Sequence, residues 1–186
     1  VNSVQHCEAI IIGGGIAGLA AAFHLGRRGW SGVQLLEREP GLASHSSGRN
    51  AAIYRQLAED AAGVALALRT AELLDEAPGG LAADWLAKTG ALYVAESKAP
   101  LQALADHARA PGVAVSFAEG EQLAERVGVL AGGSARHGMW VDSDGVIDIH
   151  AVTEALARAA RASGVRITTG CGVQRILVEE GRTCGV

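Results

Sequence analysis

Cysteine is scarce in this 186-residue chain and nowhere paired. Cys7, Cys171 and Cys184 form no Cys-x-x-Cys spacing, so they read as buried or incidental thiols rather than disulfides or metal ligands. The six histidines are scattered, without His-x-His or His-Glu-x-x-His, and no metal site is expected. Asp142-Ser143-Asp144-Gly145 opens like a calcium loop but lacks the further oxygens and the closing glutamate, so it reads as a turn. Basic blocks are absent and the net charge is −4, which leaves no electrostatic footprint for nucleic acid or for an anionic membrane surface. Internal repeats and low-complexity linkers are missing too, apart from an alanine bias. The apolar stretch over 9–25 is interrupted by glycines, and Glu8 stands where the basic region of a signal peptide would lie. The expectation is a cytoplasmic protein with no membrane insertion.

What is present is organised around residues 8–18, Glu-Ala-Ile-Ile-Ile-Gly-Gly-Gly-Ile-Ala-Gly. Residues 9–12 are a short β-branched run, suited to a strand buried on both faces. Residues 16–25 continue as an alanine-rich helix pattern. Between them, Gly13-x-Gly15-x-x-Gly18 is the dinucleotide fingerprint in the setting that gives it meaning: strand, tight turn, helix. Gly13 permits the turn. Gly15 lets a pyrophosphate approach the backbone at the positive helix end, where Ile16 and Ala17 begin the helix, and Gly18 lets the helix lie close on the strand.

A second strand pattern covers 33–36, and Glu37 ends it 19 residues after Gly18. A carboxylate there accepts hydrogen bonds from a ribose 2′-hydroxyl and repels a 2′-phosphate. The pattern predicts the adenosine half of an FAD or NAD and disfavours NADP. The competing reading is a glycine-rich turn in an unrelated α/β protein, against which strand, helix and Glu37 stand in register. With 49% hydrophobic residues the chain can bury a core and suits one domain or slightly more.

Pro40-Gly41 punctuates the end of this unit. Residues 42–54 are a polar, hydroxyl-rich loop running into alanines. Ser44, Ser46, Ser47, Arg49 and Asn50 offer donors to phosphates or a ring system, and Ser46 or Ser47 equally suits the N-cap of a helix. Residues 51–77 predict packing helices with Gly63 as a break, ended by Pro78-Gly79-Gly80. Strands are expected at 90–95, 113–117 and 138–141, and helices at 100–110 and 119–127. An amphipathic helix is expected over 151–163, capped by Gly164, and then strands at 165–169 and 171–178.

Three segments together carry a resemblance: Gly-Gly-Gly-Ile-Ala-Gly, Leu-Leu-Glu-Arg-Glu and Ser-His-Ser-Ser-Gly-Arg-Asn-Ala-Ala-Ile-Tyr. In this order and spacing the chain resembles the N-terminal half of the D-amino-acid-oxidase-type FAD oxidoreductases, above all the glycine oxidase and D-arginine dehydrogenase branch. The resemblance implies an α/β fold: a Rossmann-like FAD-binding domain, a parallel sheet with helices, interrupted by part of a β-rich substrate domain. Residues 1–79 and 142–186 would form the FAD-binding domain and 80–141 the partial substrate domain. FAD is implied rather than NAD, with its adenine near Glu37 and Arg38. Ser44, His45, Ser46, Ser47, Arg49, Asn50, Ala51 and Ala52 would wrap the pyrophosphate and approach the flavin. The backbone of Val173 would touch the adenine, at a position that otherwise reads as a core strand residue.

Two departures modify what the resemblance implies. Relatives of the dimethylglycine dehydrogenase kind carry the flavin on a histidine before the paired alanines. Asn50 stands there, which implies non-covalent FAD. D-arginine-dehydrogenase-like proteins place a substrate-facing histidine where this chain has Ile53, which speaks against a basic substrate. The implied activity is oxidation of the C–N bond of an amino acid or secondary amine by hydride transfer to flavin. The family pattern runs past Val186, so a missing C-terminal half or a second subunit is implied, bringing the arginine that pairs a substrate carboxylate. Other readings left open by the residues are a non-catalytic nucleotide-binding subunit or remnant, and an NAD-dependent oxidoreductase.

Overall fold

The computed structural model describes residues 6–76, 85–109, 112–133 and 136–186. β1 (Ala9–Ile12), α1 (Ile16–Arg27) and β2 (Val33–Leu36) come first. They are followed by β3 (Ile53–Tyr54), α2 (Ala61–Asp75), β4 (Leu86–Ala87), β5 (Ala91–Ala95), α3 (Lys98–Ala108), β6 (Ser116–Glu119), α4 (Glu121–Arg126), β7 (His137–Val141) and β8 (Gly145–Ile147). α5 (Ile149–Ala162), β9 (Arg166–Thr168), β10 (Leu177–Glu179) and β11 (Arg182–Gly185) come last. The described residues divide into two compact units, one from 6–51, Trp85 and 148–186, the other from 52–76 and 86–147.

The first unit is a parallel sheet with helices. Its strand order is β1-β2-β9, and both pairings are parallel, Ile12 opposite Leu36 and Leu36 opposite Thr168. Parallel strands need a crossover, and α1 and α5 supply it. The two helices pack on each other. α1 buries Leu19, Ala22 and Phe23, and α5 buries Val152, Leu156 and Ala160. Each buried leucine is worth roughly 1.5–3 kcal/mol over leaving it in water. Asp148 caps α5, its Oδ1 accepting the Ala151 N–H at 2.9 Å. The other face of the sheet opens on a cavity of about 1200 Å³, lined in part by Ile10, Ile12, Gln34 and Thr168.

The second unit is β-rich. β7 lies between β5 and β6, and β8 between β3 and β4, all antiparallel. Leu57, Leu101, Ala105, Ala108, Met139 and Val141 form its core. Asp144 is fully buried and joins the two sheets. Its Oδ1 accepts the Gln56 N–H at 2.9 Å, its Oδ2 accepts the Tyr93 hydroxyl at 2.8 Å, and its carbonyl accepts the Gly90 N–H at 2.9 Å. Burial pushes the Asp144 carboxyl above its ordinary value despite these donors.

Several elements differ from the sequence expectation. The first unit gives way after Ala51 rather than at 79, because the Ala52 carbonyl accepts the Ile147 N–H and β3 pairs with β8. It resumes at 148 rather than 142, because β8 and the buried Asp144 belong to the second unit. Gly63 does not split a helix pair. It lies in the first turn of α2, and its N–H donates to the Asp60 cap at 2.6 Å. The expected strand over 171–178 shrinks to β10, since the Cys171 N–H is drawn off to the Glu37 carbonyl at 2.8 Å. The expected stop at Pro78-Gly79-Gly80 lies outside the described residues.

Candidate functional site

The glycine turn is fixed by what its backbone touches. Gly13 adopts φ +104°, a conformation that L side chains rarely take, and its N–H donates to the Leu36 carbonyl at 2.8 Å. A Cβ on Gly18 would lie 2.0 Å from the Gly13 carbonyl oxygen, so only glycine allows α1 to seat on the turn. Gly15 is the N-cap of α1 and has no side chain with which to cap it. Ser47 does this instead: its Oγ accepts the Ile16 N–H at 3.1 Å. The N–H groups of Gly15, Ala17 and Gly18 meet no protein acceptor among the described residues. They gather at the positive end of the helix, where an anion is stabilised.

Glu37 faces this turn. Its Oε2 accepts the Gly14 N–H at 2.6 Å and its Oε1 the Glu39 N–H at 2.9 Å. The side chain is buried, which alone would raise its pKa. The backbone donors of Glu39, Gly14 and Arg38, with His45 nearby, outweigh burial and hold the carboxyl below its ordinary value. The spacing argument found this residue but not its first partners, which are backbone groups of the protein itself.

Residues 41–50 form successive turns laid against the glycine turn. The Ala43 N–H donates to the Gly14 carbonyl at 3.0 Å, and Leu42 fills the space beside Gly14. The Gly48 and Arg49 N–H groups both donate to the His45 carbonyl. The sequence left open whether Ser46 or Ser47 caps a helix starting here or offers donors to a ligand. No such helix forms, and the Ser47 hydroxyl serves α1 across 31 residues of sequence. The Ser44 hydroxyl donates to the Gly41 carbonyl at 2.7 Å, and the Asn50 side-chain amide donates to the Ser47 carbonyl. His45, Ser46, Arg49, Asn50 and Ala51 are exposed. Ala43 and Ala52 hold positive φ, +54° and +53°, a strain that a functional loop often carries. Ala51 is the last residue of the first unit, and Ala52 the first of the second.

At the end of β2, Arg38 Nε stands 3.2 Å from Glu39 Oε1, and His45 Nε2 stands 2.9 Å from the same oxygen. Val173 is half-buried on an irregular segment rather than in a strand. That segment is tied to β2: the Gly170 N–H donates to the Glu39 carbonyl and the Cys171 N–H to the Glu37 carbonyl, both at 2.8 Å. A Cβ on Gly172 would lie 3.4 Å from Arg38 Cβ. The fold therefore brings the glycine turn, Glu37, Arg38, the 41–50 segment and the segment bearing Val173 into one unit. Sequence reasoning missed Leu42 and Ala43, which act through a side-chain contact and a main-chain bond that carry no motif, and it quoted Glu39 within Leu-Leu-Glu-Arg-Glu without its ion pair. Among the described residues no set of three His, Cys, Asp or Glu side chains is placed to hold a metal. No helix among them is long and apolar enough to cross a membrane.

A strand, a glycine turn capped from a distant serine, and a carboxylate at the end of the next strand define a dinucleotide-binding α/β unit. Residues 8–186 match the DAO family model, FAD dependent oxidoreductase, and the chain belongs to that family. It is 31% identical to human mitochondrial sarcosine dehydrogenase over 182 residues, covering 92% of this chain and 19% of that protein. It is 27% identical to the mouse mitochondrial pyruvate dehydrogenase phosphatase regulatory subunit over 184 residues, covering 96% and 21%. The crystal structure of L-proline dehydrogenase from P. horikoshii shares the fold, with a TM-score of 0.80 at 24% identity, covering 96% of this chain and 48% of that one. The chain thus spans about a fifth of these curated relatives and about half of the solved structure.

The site fits the cofactor that the family name carries. A Cβ on Gly15 would lie 3.0 Å from Ser47 Oγ, so the glycine keeps a cradle open above three N–H donors. The Glu37 carboxylate retains lone pairs beyond its two backbone donors.

Proposed function

We propose that this chain is the FAD-holding, N-terminal part of an oxidoreductase acting on the C–N bond of an amino acid or secondary amine. The observation that carries this reading is the cluster of N–H donors of Gly15, Ala17 and Gly18 at the start of α1, closed over by Ser47. In this reading the donors hold the pyrophosphate, and Ser44, Ser46, Arg49 and Asn50 add polar groups around it. Glu37 takes the ribose, Arg38 and the Val173 backbone flank the adenine, and the small side chains of Ala51 and Ala52 let the ring system approach. Asn50 has no group that bonds a flavin, so FAD is held non-covalently. Bound FAD supplies the two-electron acceptor of the reaction. Ile53 is exposed on β3 opposite exposed Val146, an apolar pair that favours an uncharged substrate side chain over a basic one. The substrate clamp comes from a C-terminal half or a second subunit.

The test is an absorbance spectrum of the purified protein before and after FAD is added. Bands near ~370 and ~450 nm that survive gel filtration support the reading, and a protein that retains no flavin overturns it. A second reading, a nucleotide-binding subunit without catalysis, draws on the likeness to a regulatory subunit. Bleaching of the bound flavin by an amino acid or secondary amine under anaerobic conditions, with the C-terminal half or second subunit present, separates the two, since only the enzyme is reduced by its substrate.

A further inference from the structure

The net charge of −4 hides a local excess of positive charge. α1 and α5 pack side by side, and both end where the parallel strands begin. A Cβ on Gly26 would lie 2.8 Å from Ser163 Cβ and 3.1 Å from Val165 Cγ2, so the two helix ends meet. The lead-in to β1 joins them, the Glu8 N–H donating to the Gly32 carbonyl at 3.0 Å. Arg27, Arg28 and Arg161 are exposed at this end, and Arg166 is exposed on the first residue of β9. Arg27 lies over the Phe23 ring. Among the described residues no carboxylate pairs with Arg27, Arg28 or Arg161. Burial first, and the charges of Arg27 and Arg28 next, hold His24 below its ordinary value. Glu8 sets one negative charge against the four arginines. Glu37 and Glu39 stand at the far end of β2, and Asp148 and Glu154 in the first half of α5.

A basic residue in the last turn complements a helix dipole, which accounts for Arg27 and Arg161. It does not account for Arg166 or Trp30, which lie outside the helices. Trp30 is 48% exposed in the turn between α1 and β2, its N–H donating to the Leu25 carbonyl at 3.2 Å. An indole beside guanidinium groups suits the headgroup level of a bilayer, where the ring is part-immersed and anionic lipids attract arginine. A nucleic-acid strand asks for a basic track with successive aromatic platforms, and Trp30 is the one exposed aromatic side chain among the described residues of the first unit.

We propose that this end of the first unit, opposite the end that carries the glycine turn, docks on an anionic phospholipid surface through Arg27, Arg28, Arg161 and Arg166, with Trp30 at headgroup level. Composition and the want of a basic run speak against such a surface in the sequence. Folding assembles it from segments at the two ends of the chain. The docking does not rest on the FAD reading.

The experiment mixes the purified protein with phosphatidylcholine vesicles, with and without about 30% phosphatidylserine, at about 50 mM and about 150 mM salt, and reads binding by flotation. Binding is expected only with phosphatidylserine present, and it should weaken at the higher salt. Arg28→Ala and Arg161→Ala should each lower the partition about fivefold, and Arg28→Lys should retain it. Arg69→Ala, an exposed change on α2 of the second unit, should leave it unchanged. Thermal melts confirm that each variant is folded. Trp85 is buried and Trp140 half-buried, so a blue shift of emission on phosphatidylserine vesicles should vanish in Trp30→Phe. Tighter binding to a fluorescent DNA duplex than to these vesicles, lost in Arg28→Ala, assigns the surface to nucleic acid and overturns the proposal. No binding to either kind of vesicle, equal binding to both, or an equal loss in Arg69→Ala overturns it as well.

Discussion

Glu37 spends both carboxylate oxygens on backbone N–H groups, at 2.6 and 2.9 Å, in a buried position. A glutamine can offer only one oxygen there and must turn its amide toward the other N–H. Hydrogen bonds to a charged acceptor are worth about 1.5–3 kcal/mol, and Glu37→Gln should cost about that much in denaturant unfolding at neutral pH. The depressed pKa fixes the sign of the pH effect. The carboxylate's contribution is whole above the ordinary glutamate value of 4.5 and is lost as pH falls through the lowered one. The gap between wild type and variant should therefore narrow in acid. Gly18→Ala is a steric test at the same turn. Its Cβ would sit 2.0 Å from the Gly13 carbonyl oxygen, so turn or helix must move, at about 1–3 kcal/mol. FAD retention on gel filtration should fall with it. Glu37 and Gly18 were legible because fingerprint glycines and a terminal carboxylate have fixed spacings. The backbone partners of Glu37 were not, because they depend on the shape of the turn rather than on residue types.

The helices of the first unit differ in how they begin. α5 is capped locally by Asp148, and α1 by Ser47 from the segment after β2. Asp148→Ala and Ser47→Ala should each cost about 1 kcal/mol of stability. Only Ser47→Ala should also weaken FAD binding, because the hydroxyl it removes stands over the N–H donors that the proposed pyrophosphate site uses. Paired thermal melts and FAD titrations check this, and an equal loss of FAD affinity in both variants would sink the distinction. The periodicity of α1 and α5 and the β-branched runs of β1 and β2 were readable in the sequence. β3, β4 and β8 were not. Each has two or three residues, too few to show alternation, and each exists only by pairing with residues far along the chain.

For the molecule as a whole, the boundary between the units was misplaced for the same reason. Residues 51–77 read as packing helices with Gly63 as a break, whereas the pairing of β3 with β8 and the bond from Gln56 to Asp144 commit residues 52–76 to the second unit. Asp144 also supplies a test. Tyr93→Phe removes the donor to Oδ2 and should cost about 1–3 kcal/mol in urea unfolding. Burial raises the Asp144 pKa, so its ionisation works against folding. Its contribution declines as pH rises from the ordinary 3.8 through the raised value. Losing the Tyr93 donor should deepen that decline.

The strand order β1-β2-β9 has a consequence for how the protein is made. β2 is the middle strand, but its second neighbour is translated about 130 residues after it. At ordinary rates of synthesis one edge of β2 waits roughly ten seconds while the whole second unit leaves the ribosome. During that wait β2 presents unpaired backbone groups and the apolar side chains Val33, Leu35 and Leu36, a template for pairing with the wrong chain. Nascent chains arrested before Ile149 should be cut by protease within 9–36, and chains in which Thr168 has emerged should resist. Equal cleavage of both would mean that the wait is covered by other means.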